Sequence, residues 1–206
     1  MIPRATAVIA LVALGLAGFF VQRGPVLVTP SVPLAWTTHA LDAGPVQVEY
    51  ALSGVEFLRA TDADEPALAF AALRRGAQLI TLADFNEFLV VERHDGRLWA
   101  LGESQTEGPG PTLELLVSDD DGRTFEHRAS VPKPHYLATF ETWRVQGDDL
   151  SLVLSLDEAV VLPEAWRWPW WSLAEGLPFE FPRPSVGPGR FVLRSKNAGR
   201  WWRLER

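Results

Sequence analysis

Histidines, carboxylates and hydroxyls are the residues from which a catalytic or metal site would be built, and their spacing here assembles none. His39, His94, His127 and His135 lie in four separate segments, without the short intervals that metal ligands need. No Gly-x-Ser-x-Gly elbow presents a serine, and no glycine loop is spaced to cradle a phosphate. Asp119-Asp120-Asp121-Gly122 has the composition of a calcium loop. Aligned on Gly122, however, an EF-hand would have Val117 as its first ligand and Arg128 where a bidentate glutamate is required, so the loop fails. Asp62, Asp64 and Glu65 read as a solvated loop tip. The chain has no cysteine, which removes disulfides, thiolate metal sites, cysteine nucleophiles and a lipidated-cysteine anchor. The expectation is a protein that is not an enzyme and carries neither metal nor cofactor.

Binding chemistry is better represented. Ala165-Trp166-Arg167-Trp168-Pro169-Trp170-Trp171 concentrates four of the chain's nine tryptophans, and a proline-rich stretch from Leu177 to Pro184 follows. Four indoles so close together cannot share one face, and Pro169 forbids a regular strand or helix interior. One outcome is a loop whose rings fold back over a sheet, with their N–H groups bonded to carbonyls. The other is a contact surface for a protein partner or the membrane, because Trp and Arg are enriched at interface hot spots and Trp at the bilayer interface. Trp166, Arg167, Trp168, Trp170 and Trp171 are therefore the candidate partner-binding residues.

These residues sit in a chain of 206 with 47% hydrophobic and 22% charged residues, a mix that can bury a core. A net charge of −7 leaves no basic excess for a phosphate backbone, so nucleic acid is not an expected partner. Arg4 is followed by the seventeen-residue uncharged run Ala5 to Val21 and, after Gln22, by Arg23. That run is slightly shorter than the ~20 residues usual for a spanning helix, and Gly15 and Ala17 offer small residues for cleavage. Residues 1–23 are thus expected to form an apolar helix, either an anchor or a signal peptide, with the body facing outward. The expected location is the cell envelope, with the domain in the periplasm and either tethered to the inner membrane or released. Residues 24–45, with prolines 25, 30, 33 and 45, read as an extended linker to a domain at 46–206.

The body alternates with period two. Val46, Val48, Tyr50 and Leu52 are expected on one strand face, as are Leu113, Leu115 and Val117, and Leu150, Leu152, Leu154 and Leu156. His94-Asp95-Gly96, Asp119 to Gly122, Gln146 to Asp149 and Asn197-Ala198-Gly199 supply hairpin turns. Antiparallel meanders follow, and Pro66–Gly76 and Pro163–Leu177 are the only candidate helices.

Two turns share a longer pattern. Ser118, Asp120, Gly122, Thr124 and Phe125 align with Ser195, Asn197, Gly199 and Trp202 as S-x-[DN]-x-G-R-x-aromatic. Glu92 to Trp99 is a degenerate third copy, too near the first to be more than a neighbouring hairpin. The 77 residues between Gly122 and Gly199 approximate two propeller blades of ~40–50 residues each. In this pattern the Asp120 carboxylate accepts backbone N–H bonds, Gly122 turns the chain and Phe125 pins the hairpin. The Ser118–Phe125 segment resembles the Asp-box, S-x-D-x-G-x-T-[WF], of sialidase-like β-propellers. The resemblance implies an all-β fold, a small or incomplete propeller, and a box that is structural and away from the active site. A sialidase site would also need an arginine cluster and a tyrosine beside a glutamate. Only Tyr50 and Tyr136 are present, and no motif pairs either with one.

The opening of the body, Gly44 to Tyr50 with Val55 to Leu58, together with the box, is also similar to periplasmic immunity proteins paired with type VI secretion lipase effectors. This implies a small exported β-rich protein that binds and blocks a toxin. The expected function is a non-catalytic extracytoplasmic binding protein, with an immunity protein that neutralises a secreted toxin effector as the form the resemblance implies; an envelope scaffold or sensor binding a membrane protein or glycan is the alternative, and a glycosidase-like enzyme the third.

Overall fold

A computed structural model of the protein describes residues 26–29, 31–38, 41, 44–61, 69–82, 85–104, 111–135, 137–163, 166 and 183–205. The expected apolar helix at 1–23 lies outside these residues. Among them no helix forms, and the architecture is all-β and antiparallel.

Three meanders succeed one another along the chain. The first sheet is β3 (Val46–Leu52), β4 (Val55–Thr61), β5 (Ala69–Arg75) and β6 (Gln78–Leu82), paired in that order. The second is β7 (Phe85–His94), β8 (Arg97–Ser104), β9 (Thr112–Ser118) and β10 (Phe125–Pro132). The third is β11 (Thr139–Gln146), β12 (Asp149–Leu156), β15 (Gly189–Ser195) and β16 (Trp201–Glu205). A two-stranded ribbon, β13 (Val160–Val161) and β14 (Ser185–Val186), stands in the connection between β12 and β15. No sheet closes on itself.

The second sheet is covered on both faces. Leu98, Ala100, Leu116 and Phe125 pack with Val55, Phe57, Ala71 and Leu73 of the first sheet. Trp99, Leu101, Leu113, Leu115 and Val117 pack with Leu150, Leu152, Leu154, Leu193 and Trp202 of the third. This is why β8 and β9 read as nearly unbroken apolar runs, whereas β12, buried on one face, alternates Leu with Ser and Val. The alternation expected for β3 is broken. A register shift between Val48 and Tyr50 places Val46 and Val48 opposite Ala60 and Leu58, while Tyr50 and Leu52 pair with Phe57 and Val55. A β-bulge resets the pleat, so the first two face away from the core that the last two join.

Two further expectations are corrected. Ala69–Arg75, inside a candidate helix, is β5, because ladders to β4 and β6 override the helix propensity of Ala and Leu. The turns at Gly122 and Gly199 belong to adjacent sheets, one repeat apart instead of two; the surplus residues lie in the long β12–β15 connection.

The stretch expected to be a linker is extended, but part of it belongs to the sheets. β1 (Val26–Val28) pairs with β16 and β2 (Val32–Leu34) with β10, and Thr37 bridges to Leu79 of β6. One strap therefore adds to the outer edge of all three sheets, in reverse order of their synthesis. It covers edges that would otherwise invite intermolecular pairing. Thr29 donates to the Gly199 carbonyl at 2.8 Å, and Trp36 Nε1 to the Arg123 carbonyl at 2.6 Å. The Trp36 ring meets Phe125 edge-on at 6.1 Å. Trp36→Ala is expected to lower the unfolding free energy by about 2 kcal/mol, the sum of a hydrogen bond and an aromatic pair. Denaturant unfolding measures that loss, and faster amide exchange at Val32–Leu34 would show that the strap has loosened.

Candidate functional site

Antiparallel strands send successive connections to alternate ends, so the molecule has a turn end and a connection end. At the turn end lie the hairpins after β3, β5, β7, β9, β11 and β15. Ser118 Oγ donates to Asp120 Oδ1 at 2.8 Å and accepts from Gly122 N at 2.8 Å. Asp120 Oδ1 also accepts from Thr124 N at 2.8 Å, and Oδ2 from the Thr124 hydroxyl at 2.7 Å. The second copy repeats the arrangement. Ser195 Oγ donates to Asn197 Oδ1 and accepts from Gly199 N, both at 2.9 Å, and Trp201 N donates to Asn197 Oδ1 at 2.9 Å. Desolvation pushes Asp120 up, but the bonds from Thr124, Ser118 and Arg123 outweigh it and hold the carboxyl below its ordinary value. Phe125 and Trp202 are buried, each in a different intersheet core.

Neighbouring turns are laced together. Arg93 reaches both Ser53 and Asp121, joining the first sheet to the second. Arg97 bonds Asp119 at 2.7 Å and also Asp148, and Gly147 N donates to Asp95 at 3.1 Å, joining the second to the third. The serine, Asp/Asn and glycine positions of both repeated turns are thus engaged within the fold, and ion pairs beside them clamp neighbouring sheets together.

The connection end holds a polar cluster that the sequence reading did not find. Glu114, 5% exposed, points from β9 toward the first-sheet side of the second sheet. One carboxylate oxygen accepts from Ser104 Oγ at 2.9 Å and from the Thr112 hydroxyl. The other accepts from Ser130 Oγ and lies against His127 Nε2, both at 2.6 Å. Burial pushes Glu114 up, yet the bonds from His127, Ser130 and Thr112 and the charge of His127 prevail, leaving it below its ordinary value. Serine, histidine and glutamate invite comparison with a nucleophilic triad. Ser130 Oγ, though, lies 3.3 Å from the same Nε2 that contacts Glu114. A relay needs the carboxylate on one ring nitrogen and the hydroxyl on the other, so this set orients a ring and does not activate a serine. Nearby, the buried Lys133 ammonium bonds both Glu103 oxygens at 3.1 Å.

A second cluster joins β3 to β7. Glu49 accepts from Phe88 N at 2.9 Å, Tyr50 donates to the Leu89 carbonyl at 2.8 Å, and Arg59 pairs with Glu87 at 3.1 Å. Burial raises both Glu49 and Tyr50, and Glu49 and Glu87 raise the tyrosine further. The tyrosine is therefore brought beside glutamates, although nothing in the sequence motifs paired them. Its hydroxyl and the Glu49 carboxylate are both engaged with β7 backbone, where they fasten one sheet to the next.

Of the tryptophan-rich residues, Trp166 is buried in the core between the second and third sheets, and its Nε1 donates to the Pro132 carbonyl at 3.0 Å. It takes the inward, carbonyl-bonded role. Arg167, Trp168, Trp170 and Trp171 lie outside the described residues. The segment that carries them leaves the third sheet at the connection end, close to the last residue of β10. Among the described residues no group of three or more His, Asp or Glu side chains could hold a metal ion. Comparison with protein-family models, with curated proteins and with solved structures finds none that matches this chain.

Proposed function

We propose that this is an extracytoplasmic binding protein without catalytic activity, carried on the membrane by its apolar N-terminal segment, and that its partner is a protein engaged at the connection end. The three meanders are taken as blades of an open, incomplete propeller, a view supported by the two Ser-x-[Asp/Asn]-x-Gly turns having the same bonds in adjacent sheets. The observation that carries the functional proposal is the docking of Trp166 against Pro132. Arg167, Trp168, Trp170 and Trp171 follow this docked residue directly in sequence, within the longest connection of the fold, whereas the shared positions of the two repeated turns are occupied by bonds of their own. Interface energy concentrates in a few aromatic and arginine anchors, the composition of this segment.

A secreted lipase toxin is the partner class favoured by the likeness to immunity proteins. Purified candidate lipase effectors from the same genome, starting with any encoded beside this gene, should form a tight complex with the full chain and lose lipase activity in it. Trp168→Ala with Trp170→Ala is expected to weaken that complex by at least about thirtyfold, the effect of losing a single hot spot of ~2 kcal/mol. Unchanged affinity in a folded double variant would remove the segment from the interface. Absence of any inhibited lipase would leave the scaffold or sensor reading as the better one.

A further inference from the structure

We infer that the outer face of the third sheet is a docking surface for anionic phospholipid headgroups, holding the domain flat against the membrane that its N-terminal segment enters; this rests on the tether proposed above. Leu27 and Trp202 pair across β1 and β16 and point into the core, so Val28 and Trp201, one residue on, share the opposite face. On that face the register lines up Arg203, Arg194, Ser151 and Arg144 in one row across β16, β15, β12 and β11. Arg190 lies on the same face, opposite Ser155. Arg194 and Arg203 are direct cross-strand partners, an arrangement of like charges that costs stability unless something else favours it.

The local compensation is incomplete. Arg194 pairs with Glu205 at 3.2 Å and Arg190 with Glu141, Arg203 stacks on Trp201 at 4.9 Å, and among the described residues Arg144 bonds the neutral Gln146. Four arginines against Glu141, Glu205 and Asp149, which the register sets beside Gln146, leave this face net positive in a chain whose net charge is −7. Val28, 72% exposed, adds an apolar side chain beside Trp201. Arginine, exposed aliphatic and tryptophan together suit the interfacial layer, where cations meet lipid phosphates and indoles sit at headgroup depth.

Continuity with the anchor selects a lipid over an acidic protein. Four residues separate Val21, the last of the apolar run, from Val26 at the start of β1, so five Cα steps give a reach of at most about 18 Å even fully extended. An anchored chain therefore brings the third sheet to the bilayer before either of the others. A basic face within a Debye length of an anionic surface gains about fivefold in partitioning per arginine.

The lack of native cysteine allows a clean test, with the full chain reconstituted into vesicles. Thr142→Cys puts an environment-sensitive fluorophore on the arginine face, and Thr81→Cys puts it on the first sheet as a control. In vesicles containing phosphatidylglycerol the Thr142 probe should report headgroup contact. In phosphatidylcholine alone or at high salt it should not, and the control probe should stay in water throughout. Arg144→Gln, Arg194→Gln and Arg203→Gln together should reduce the contacting population on the order of a hundredfold. Co-flotation with both kinds of vesicle, without lipid-dependent contact at Thr142, overturns the docking face and leaves the tether standing. Failure to co-float with neutral vesicles overturns the tether. In that case, flotation with anionic vesicles that is lost in the triple variant supports the face, and no flotation with either overturns it.

Discussion

Gly122→Ala is expected to lower the unfolding free energy by about 3 kcal/mol, a large share of the ~5–15 kcal/mol by which domains are stable. Two penalties coincide at this residue. Its φ of +79° lies in the left-handed region, which costs an L-residue about 1–2 kcal/mol. A Cβ would also fall 2.5 Å from Cγ2 of Val55 on the first sheet, and forcing a methyl into a filled core costs roughly 1–3 kcal/mol. Gly54→Ala isolates the first penalty, since its φ is +73° with nothing within 4 Å of the added carbon. Urea unfolding of the two variants should differ by about 2 kcal/mol, the overpacking contribution. Equal losses would mean that the turn does not press on the neighbouring sheet. Gly199→Ala should repeat the larger loss, because its Cβ would meet Leu115 Cδ2 at 2.5 Å with φ +88°.

Glu114→Gln is expected to cost about 3 kcal/mol and to flatten the acid limb of the stability curve. The amide puts N–H groups where Ser130 or Ser104 already donates, and it strands His127 without its carboxylate. The sign of the pH effect follows from the lowered position of Glu114 in the fold. A carboxyl that binds its proton less readily when folded contributes stability above its unfolded value, near 4.5, and loses it as pH falls toward the lower folded value. Wild-type protein should therefore lose stability below about pH 4.5, and Glu114→Gln should lose less over the same window. Asp120, lowered too, keeps some slope in the variant. Glu49, raised by burial, acts oppositely, since its protonation on acidification favours the folded state. Parallel curves for wild type and variant would show that Glu114 is not the carboxylate in question.

Much of this architecture is local enough to be written in short stretches of sequence. The Asp95-Gly96, Asp121-Gly122 and Ala198-Gly199 hairpins carry the positive φ that their glycines advertise, and Leu150 to Leu156 alternates because a single face is buried. What could not be read depends on partners distant in the chain. The bulge at Glu49 separates Val48 from Tyr50, and its sign is visible only once β4 supplies the register. Ala69–Arg75 is helix-prone in isolation and becomes a strand because β4 and β6 flank it. The Glu114 cluster draws on Ser104, Thr112, His127 and Ser130 from three strands, joined only through cross-strand neighbours, so no linear motif announces it. The two Ser-x-[Asp/Asn]-x-Gly turns were legible because their bonds are nearly all internal to eight residues.

The strap at residues 26–37 has a kinetic consequence. Thr29 finds its hydroxyl acceptor 170 residues away, at Gly199, and β1 pairs with the last strand of the chain. β1, the earliest of the described strands, is thus among the last to gain its partner, and contacts of such sequence separation slow folding through loop-closure entropy. The outer edges of the first two sheets can be covered by Thr37 and β2 before β16 exists, but β1 cannot pair until then. A chain made from its N-terminus thus has β1 in hand long before the ladder that β1 completes. Completion of the third sheet therefore waits on β16, the last of the described strands.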